Sequence, residues 1–218
     1  MRKADRTRAA IQQAAFTLFA QRGLHGTTMR QIAKTAGVSL GNAYYYFPGK
    51  EALVFEFYEL MHQQLLKASL DSVNANQTLA TRLESFLIQY FMSIEAFHTL
   101  AREVLAGAIH PSSPMSPFSQ ASRDLRQRTI DLFHELGGTD IKSHPLQSRL
   151  PLLLWLMHLA LTLYWIYDLS PEKAKTHQLV KLSCRLSGQL IKITRLPLMS
   201  SMIKQIRAMF LAHEKETL

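Results

Sequence analysis

Thr27 to Lys50, TTMRQIAKTAGVSLGNAYYYFPGK, constrains the fold more than any other stretch, because its caps, apolar positions and glycine fit two short helices joined by a tight turn. Just before it, Ala10, Ile11, Ala14, Ala15, Leu18 and Phe19 recur at helical spacing and mark the apolar face of a first helix over Arg8 to Arg22. Gly23 ends that helix. Thr28 and Gln31 have the spacing of a capping box for a second helix. Its Met29, Ile32, Ala33 and Ala36 face inward, while Arg30 and Lys34 share the outer face. Gly37 permits the turn, Ser39 caps a third helix, and Pro48-Gly49 stops it after about two turns. So short a helix is unstable alone, so Val38, Ala43 and Phe47 must hold it against the first two.

The other face of the third helix shows Leu40, Gly41, Asn42, Tyr44 and Tyr45. A helix laid in the DNA major groove puts its N-terminal residues at base edges and its flanks against phosphates. Gly41 lets the backbone come close, the hydroxyls of Tyr44, Tyr45 and Tyr46 can donate to phosphate oxygens, and Lys50 adds a full charge. One two-turn helix cannot bury four consecutive rings, so Phe47 is read as core and at least two of the tyrosines as DNA-facing. Charge agrees: the net +9 of the chain is concentrated here, with Arg2, Lys3, Arg6, Arg8, Arg22, Arg30, Lys34 and Lys50 against Asp5 alone through residue 50. A cationic end coinciding with a helix-turn-helix is the footprint of a phosphate-binding surface.

At these residues the chain resembles the TetR family of bacterial transcriptional regulators. The likeness rests on Ala14-Ala15, Leu18-Phe19, Gly23, Thr27-Thr28, Ile32-Ala33, Ala36-Gly37-Val38-Ser39, Tyr44, Phe47 and Lys50-Glu51-Ala52-Leu53. It covers roughly the first fifty-five residues, and the rest matches only the family's helical plan. The resemblance implies a base or phosphate contact from Arg30, groove-facing positions at Leu40, Gly41 and Asn42 beside the Ser39 cap, and backbone anchoring by Thr28, Tyr44, Tyr45, Tyr46 and Lys50. Position 40 is often polar or basic in such proteins; Leu40 departs from that and can read a thymine methyl group.

From Glu51 onward the pattern is helix after helix, with no period-two run long enough for a sheet. The spacing predicts helices over 51–72, 78–95, 97–109, 117–136, 146–168, 171–194 and 198–214, with breaks at Asn74-Ala75-Asn76, Pro111 to Pro117, Gly137-Gly138, Ser170-Pro171 and Pro197. The fold class expected is all-α: a three-helix DNA-binding domain over 1–50 and a helical regulatory and dimerisation domain over 51–218. Leu53, Phe57, Leu60, Met61 and Leu65 carry a stripe straight out of the first, without a flexible linker.

Leu150 to Tyr167, LPLLLWLMHLALTLYWIY, has no formal charge. It falls at the short end of a membrane span, but His158 and Thr162 near its middle and amphipathic neighbours needing a core favour a buried or interfacial helix. The following helix offers Leu179, Leu182, Leu186, Leu190 and Ile193 on one face, with Ser183, Ser187 and Gly188 small enough for close helix approach. Two such helices from each of two subunits make a four-helix bundle, where the resemblance also places a homodimer contact. A dimer suits one short recognition helix that reads few bases, since two copies read a palindrome on double-stranded DNA.

The resemblance further implies a small hydrophobic ligand that releases the operator. Aromatic groups suited to its pocket are Phe86, Tyr90, Phe91, Phe133, Trp155 and His158, although the same stripe serves equally as plain core. Gly37-Val38-Ser39-Leu40-Gly41 spells a nucleophile elbow, but that motif needs a strand before the serine, and here a capped helix precedes it. No metal-ligand spacing or phosphate-cradling glycine loop occurs, so neither enzyme activity nor a cofactor is expected. The lone Cys184 suits a reducing compartment and a core position. MRKADRTRAA lacks the apolar segment of a secretory signal, so a cytoplasmic location is expected and Asn76-Gln77-Thr78 has no meaning as a glycosylation site. The competing reading is a DNA-binding protein of the same fold with no small-molecule switch, acting through a protein partner or architecturally.

Overall fold

A computed structural model describes residues 3–72, 77–108, 110 and 113–194. Among them the chain is helical, without strands: α1 (Lys3–Arg22), α2 (Met29–Thr35), α3 (Leu40–Tyr46), α4 (Lys50–Ser72), α5 (Leu79–Ile94), α6 (His98–Ala108), α7 (Arg123–Lys142), α8 (Leu150–Tyr167) and α9 (Ala174–Ile193). The helix expected over 198–214, the Pro197 and Asn74-Ala75-Asn76 breaks, and Pro111-Ser112 of the proline-rich loop lie outside the described residues. The helices form two compact units, Met1–Lys67 with Tyr90–Thr129, and Ala68–Gln89 with Ile130–Leu218. Residues 1–50 lie within the first, which also takes the N-terminal part of α4, the end of α5, and α6.

In the first unit the local signals act as their chemistry requires. Thr28 and Gln31 form the reciprocal capping box of α2, and the Thr28 backbone N–H donates to Gln31 Oε1 over 2.8 Å. Ser39 Oγ accepts from Asn42 N at the start of α3. Gly37 adopts φ +69°, the left-handed region that lets the chain turn between them. The core beneath is Ile11, Ala15, Phe19, Ile32, Ala33, Ala43, Phe47, Leu53 and Val54, all essentially without solvent contact. Phe16 meets Phe57 of α4 edge to face at 5.8 Å.

The helix expected over 117–136 begins only at Arg123. Residues before it form successive turns, because serine hydroxyls bond the local backbone in place of a helix. Ser122 Oγ donates to Ser116 O and Pro117 O, Ser119 Oγ donates to Pro114 O, and Arg126 Nη1 donates to Pro117 O and Ser119 O.

In the second unit the break expected at Gly137-Gly138 is present: the non-helical Gly138 divides α7 into two helical stretches that meet at a kink. Gly138 takes φ +52° and ψ −138°, a conformation reserved for glycine. The buried Arg82 guanidinium donates to Leu136 O, Gly137 O and Asp140 Oδ2, satisfying carbonyls that the kink frees. Helix α8 starts at Leu150, later than the expected residue 146, and packs on α9. The turn between them is held by buried Asp168. Its carboxylate accepts from the backbone N–H and hydroxyl of both Ser170 and Thr176. Burial alone would raise its pKa; these four bonds outweigh that and hold the carboxyl well below the usual range.

Candidate nucleic-acid interface

The outer surface of α2 and α3 is built by what their inner surfaces bury. Helix α3 turns Ala43 inward and delivers Phe47 to the core directly after its end. What remains points out: Gly41 and Asn42 are exposed, Tyr44 is 48% and Tyr45 82% accessible, and Leu40 and Tyr46 are half-buried. The Tyr45 and Tyr46 rings meet edge to face at 5.2 Å, so each steadies the other on an otherwise open surface. Thr28, Arg30 and Lys34 are exposed on the α2 side, and Ser39 is exposed between the helices. Thus Thr28, Arg30, Ser39, Gly41, Asn42, Tyr44 and Tyr45 are all accessible, and Leu40 and Tyr46 are partly so.

Lys50 sits differently from a purely solvent-directed cation. Its Nζ donates to Leu24 O over 2.8 Å, tying the first turn of α4 to the turn that follows α1. An ammonium has three donors, so this bond leaves capacity for a phosphate.

Two functional supports escape sequence reading. Arg8, counted there among the DNA-attracting charges, forms a two-pronged pair with Glu56 of α4 and holds its guanidinium 5.0 Å from the centre of the Phe47 ring. Forty-eight residues separate the pair in sequence, and no local pattern announces it. Thr27 is wholly buried and donates to Gly23 O over 2.9 Å.

The six aromatic pocket candidates are all buried. Tyr90 and Phe91 belong to the first unit, and Phe86, Phe133, Trp155 and His158 to the second. There Phe86 meets Phe133 edge to face at 5.7 Å, and Phe133 lies 5.8 Å from the His158 ring. Burial lowers the His158 pKa to about 4, keeping the imidazole neutral. A cleft of about 390 Å³ in this unit is lined instead by Thr78, Ala80, Arg185, Gly188, Gln189 and Lys192 among others, and none of the six aromatic candidates borders it. Cys184 is fully buried, and burial pushes its thiol up to about 12.

Leu182, Leu186, Leu190 and Ile193 on α9 are each about half exposed, as are Leu153, Leu163 and Tyr167 on α8, with Leu179 intermediate. Gly188 faces inward, where a Cβ would come within 2.9 Å of the Ala80 Cβ, so the close helix approach it permits is to α5 of its own chain.

Comparison with known proteins agrees with this architecture. The model described as bacterial regulatory proteins, tetR family, matches residues 11–57, and that of the tetracyclin repressor-like C-terminal domain matches 82–207. The chain belongs to the TetR family of bacterial regulatory proteins. It is 33% identical over 91 residues to the HTH-type transcriptional repressor KstR2 of Mycobacterium tuberculosis, covering 42% of this chain and 46% of that one. Against the HTH-type transcriptional regulator RutR of Escherichia coli it is 59% identical over 44 residues, 20% of this chain and 21% of the other. The chain thus spans less than half the length of these curated relatives. Its fold resembles a TetR transcriptional regulator from Nitrosomonas europaea, with TM-score 0.64, 18% identity and coverage of 84% and 98% of the two chains. It also resembles NalD, the secondary repressor of the MexAB-OprM multidrug efflux pump in Pseudomonas aeruginosa, with TM-score 0.59, 22% identity and coverage of 84% and 97%.

Proposed function

We propose that this chain is a cytoplasmic repressor that binds a palindromic operator as a homodimer and leaves it when a small hydrophobic ligand occupies the helical regulatory part. The observation carrying the DNA half is the exposed edge of α3, where Asn42, Tyr44 and Tyr45 stand clear of a core that only Ala43 and Phe47 enter. Hydroxyls and an amide on a rigid helix suit phosphates and base edges. The DNA-facing set is Thr28, Arg30, Ser39, Leu40, Gly41, Asn42, Tyr44, Tyr45, Tyr46 and Lys50. The homodimer reading is supported by the leucines of α8 and α9, which leave an apolar face uncovered in one copy. A repressor role is supported by the likeness to KstR2.

The test is a mobility shift with DNA flanking the gene. Binding should weaken with salt at a slope of about −0.9 per phosphate contact in logarithmic terms, and failure to bind any duplex at low ionic strength rejects the reading. A melting screen then seeks compounds that stabilise the protein and release the DNA. A second reading, the same DNA-binding protein without a small-molecule switch, is favoured by the close burial of all six aromatic candidates. A screen with no stabilising compound supports it.

A further inference from the structure

Helix α3, LGNAYYY, contains no charged residue. With about 100° between successive residues, and Ala43 and Phe47 turned to the core, its outward direction runs through Gly41 and, one turn later, Tyr45. Tyr44 and Asn42 flank that line on either side, and the half-buried Leu40 and Tyr46 lie farther round toward the core. At the centre of the edge is therefore a residue without a side chain. The chain itself does not ask for it: a Cβ at Gly41 would have nothing within 4 Å, and Gly41 is not among the glycines of positive φ. Glycine weakens a helix relative to alanine; a bare backbone here leaves room for an outside surface to come close.

The residues beside it state which surface. Guanine is read in the major groove by Arg or Lys reaching O6 and N7, and α3 has neither. An apolar side chain matches the thymine methyl, and an Asn amide pairs with adenine N6 and N7. Granting that the chain binds DNA through α3, we propose that each operator half-site places A·T pairs under the first turn of this helix. A thymine methyl packs on Leu40, an adenine holds the Asn42 amide through N6 and N7, and the groove edge approaches the backbone at Gly41. Arg30 and Lys34, exposed on α2, then supply attraction to phosphate and leave base identity under α3 to uncharged groups.

The experiment selects duplexes from a random library with the full chain and measures affinity for the winner by fluorescence anisotropy. The expected half-site has A·T pairs at the positions that α3 covers. Replacing the contacted thymine with deoxyuridine removes only a methyl group and should weaken binding about fourfold, with no such loss in Leu40→Ala. Replacing the adenine with 7-deazaadenine should weaken binding about tenfold, with no further loss in Asn42→Ala. Gly41→Ala should melt higher than the native chain yet bind the selected duplex about tenfold less tightly. Half-sites of G·C alone, indifference to both base analogues, or full affinity in Gly41→Ala would overturn the inference while leaving DNA binding standing. Enrichment of no duplex at all would remove the DNA-binding reading with it.

Discussion

Helix α3 and the α8–α9 pair both expose large side chains that an isolated globular chain would cover, but they expose different chemistry. On α3 the exposed rings carry hydroxyls, and an amide and a bare glycine stand beside them. On α8 and α9 the exposed groups are mainly leucines, with isoleucine and tyrosine at the ends. Amphipathic rings with polar tips suit a surface that stays partly wet, as a phosphate backbone does. Aliphatic side chains gain only where water is removed altogether. The contrast fits the proposed reading, in which α3 meets a hydrated, charged partner and α8 and α9 meet a dry one, a second copy.

The most severe way to break that contrast is to put a charge on the dry face. Leu186 is 48% exposed in one chain, so Leu186→Glu should leave each chain folded. In a four-helix interface it buries an unpaired carboxylate, and the dimer dissociation constant should rise about 100-fold or more. Sedimentation equilibrium measures this, and operator affinity should fall with it because a monomer presents one recognition helix. A variant that remains dimeric would show that α9 is not the contact.

The inner face of α8 gives a pH effect of defined sign. His158 is buried with its pKa lowered from 6.5 to about 4, so the unfolded chain takes up the proton first as pH falls. Its contribution to stability is complete above pH 6.5, declines between 6.5 and about 4, and changes no further below. The full loss is about 3 kcal/mol. Urea unfolding across this range should show a steeper decline for the native chain than for His158→Gln. Equal slopes would mean that the imidazole is solvated and that this face of α8 is not dry.

How much of this could be read in the sequence follows from how far each signal reaches. Thr28 with Gln31, Ser39 with Asn42, and the turn at Gly37 act within three or four residues, and their letters sufficed. The outward position of Asn42 and Tyr45 was equally legible, because a two-turn helix has little surface to bury. Arg8 with Glu56, Lys50 with Leu24, and Gly188 against Ala80 bring together residues 26 to 108 positions apart, which local periodicity does not encode. The start of α7 was misplaced because serines compete for the backbone, an outcome settled by the whole loop. The aromatic candidates for a ligand pocket were ambiguous for a different reason: aromatic residues at helical spacing make a core and a pocket with the same letters.

The finest probe of the wet half is one oxygen atom. Tyr45→Phe keeps the ring and its contact with Tyr46, so melting temperature should not move. It removes one hydroxyl donor to phosphate, a bond of about 1 kcal/mol net, and operator affinity should fall about fivefold. Tyr58 supplies the matching control in the same unit, because its part-buried hydroxyl donates to Met115 O over 2.8 Å. Tyr58→Phe should cost about 1 kcal/mol of stability while leaving the affinity of the folded protein for operator unchanged. Should Tyr45→Phe instead lower the melting temperature at constant affinity, the exposed tyrosines would be holding the helix together, and the polar character of the α3 edge would no longer identify its partner.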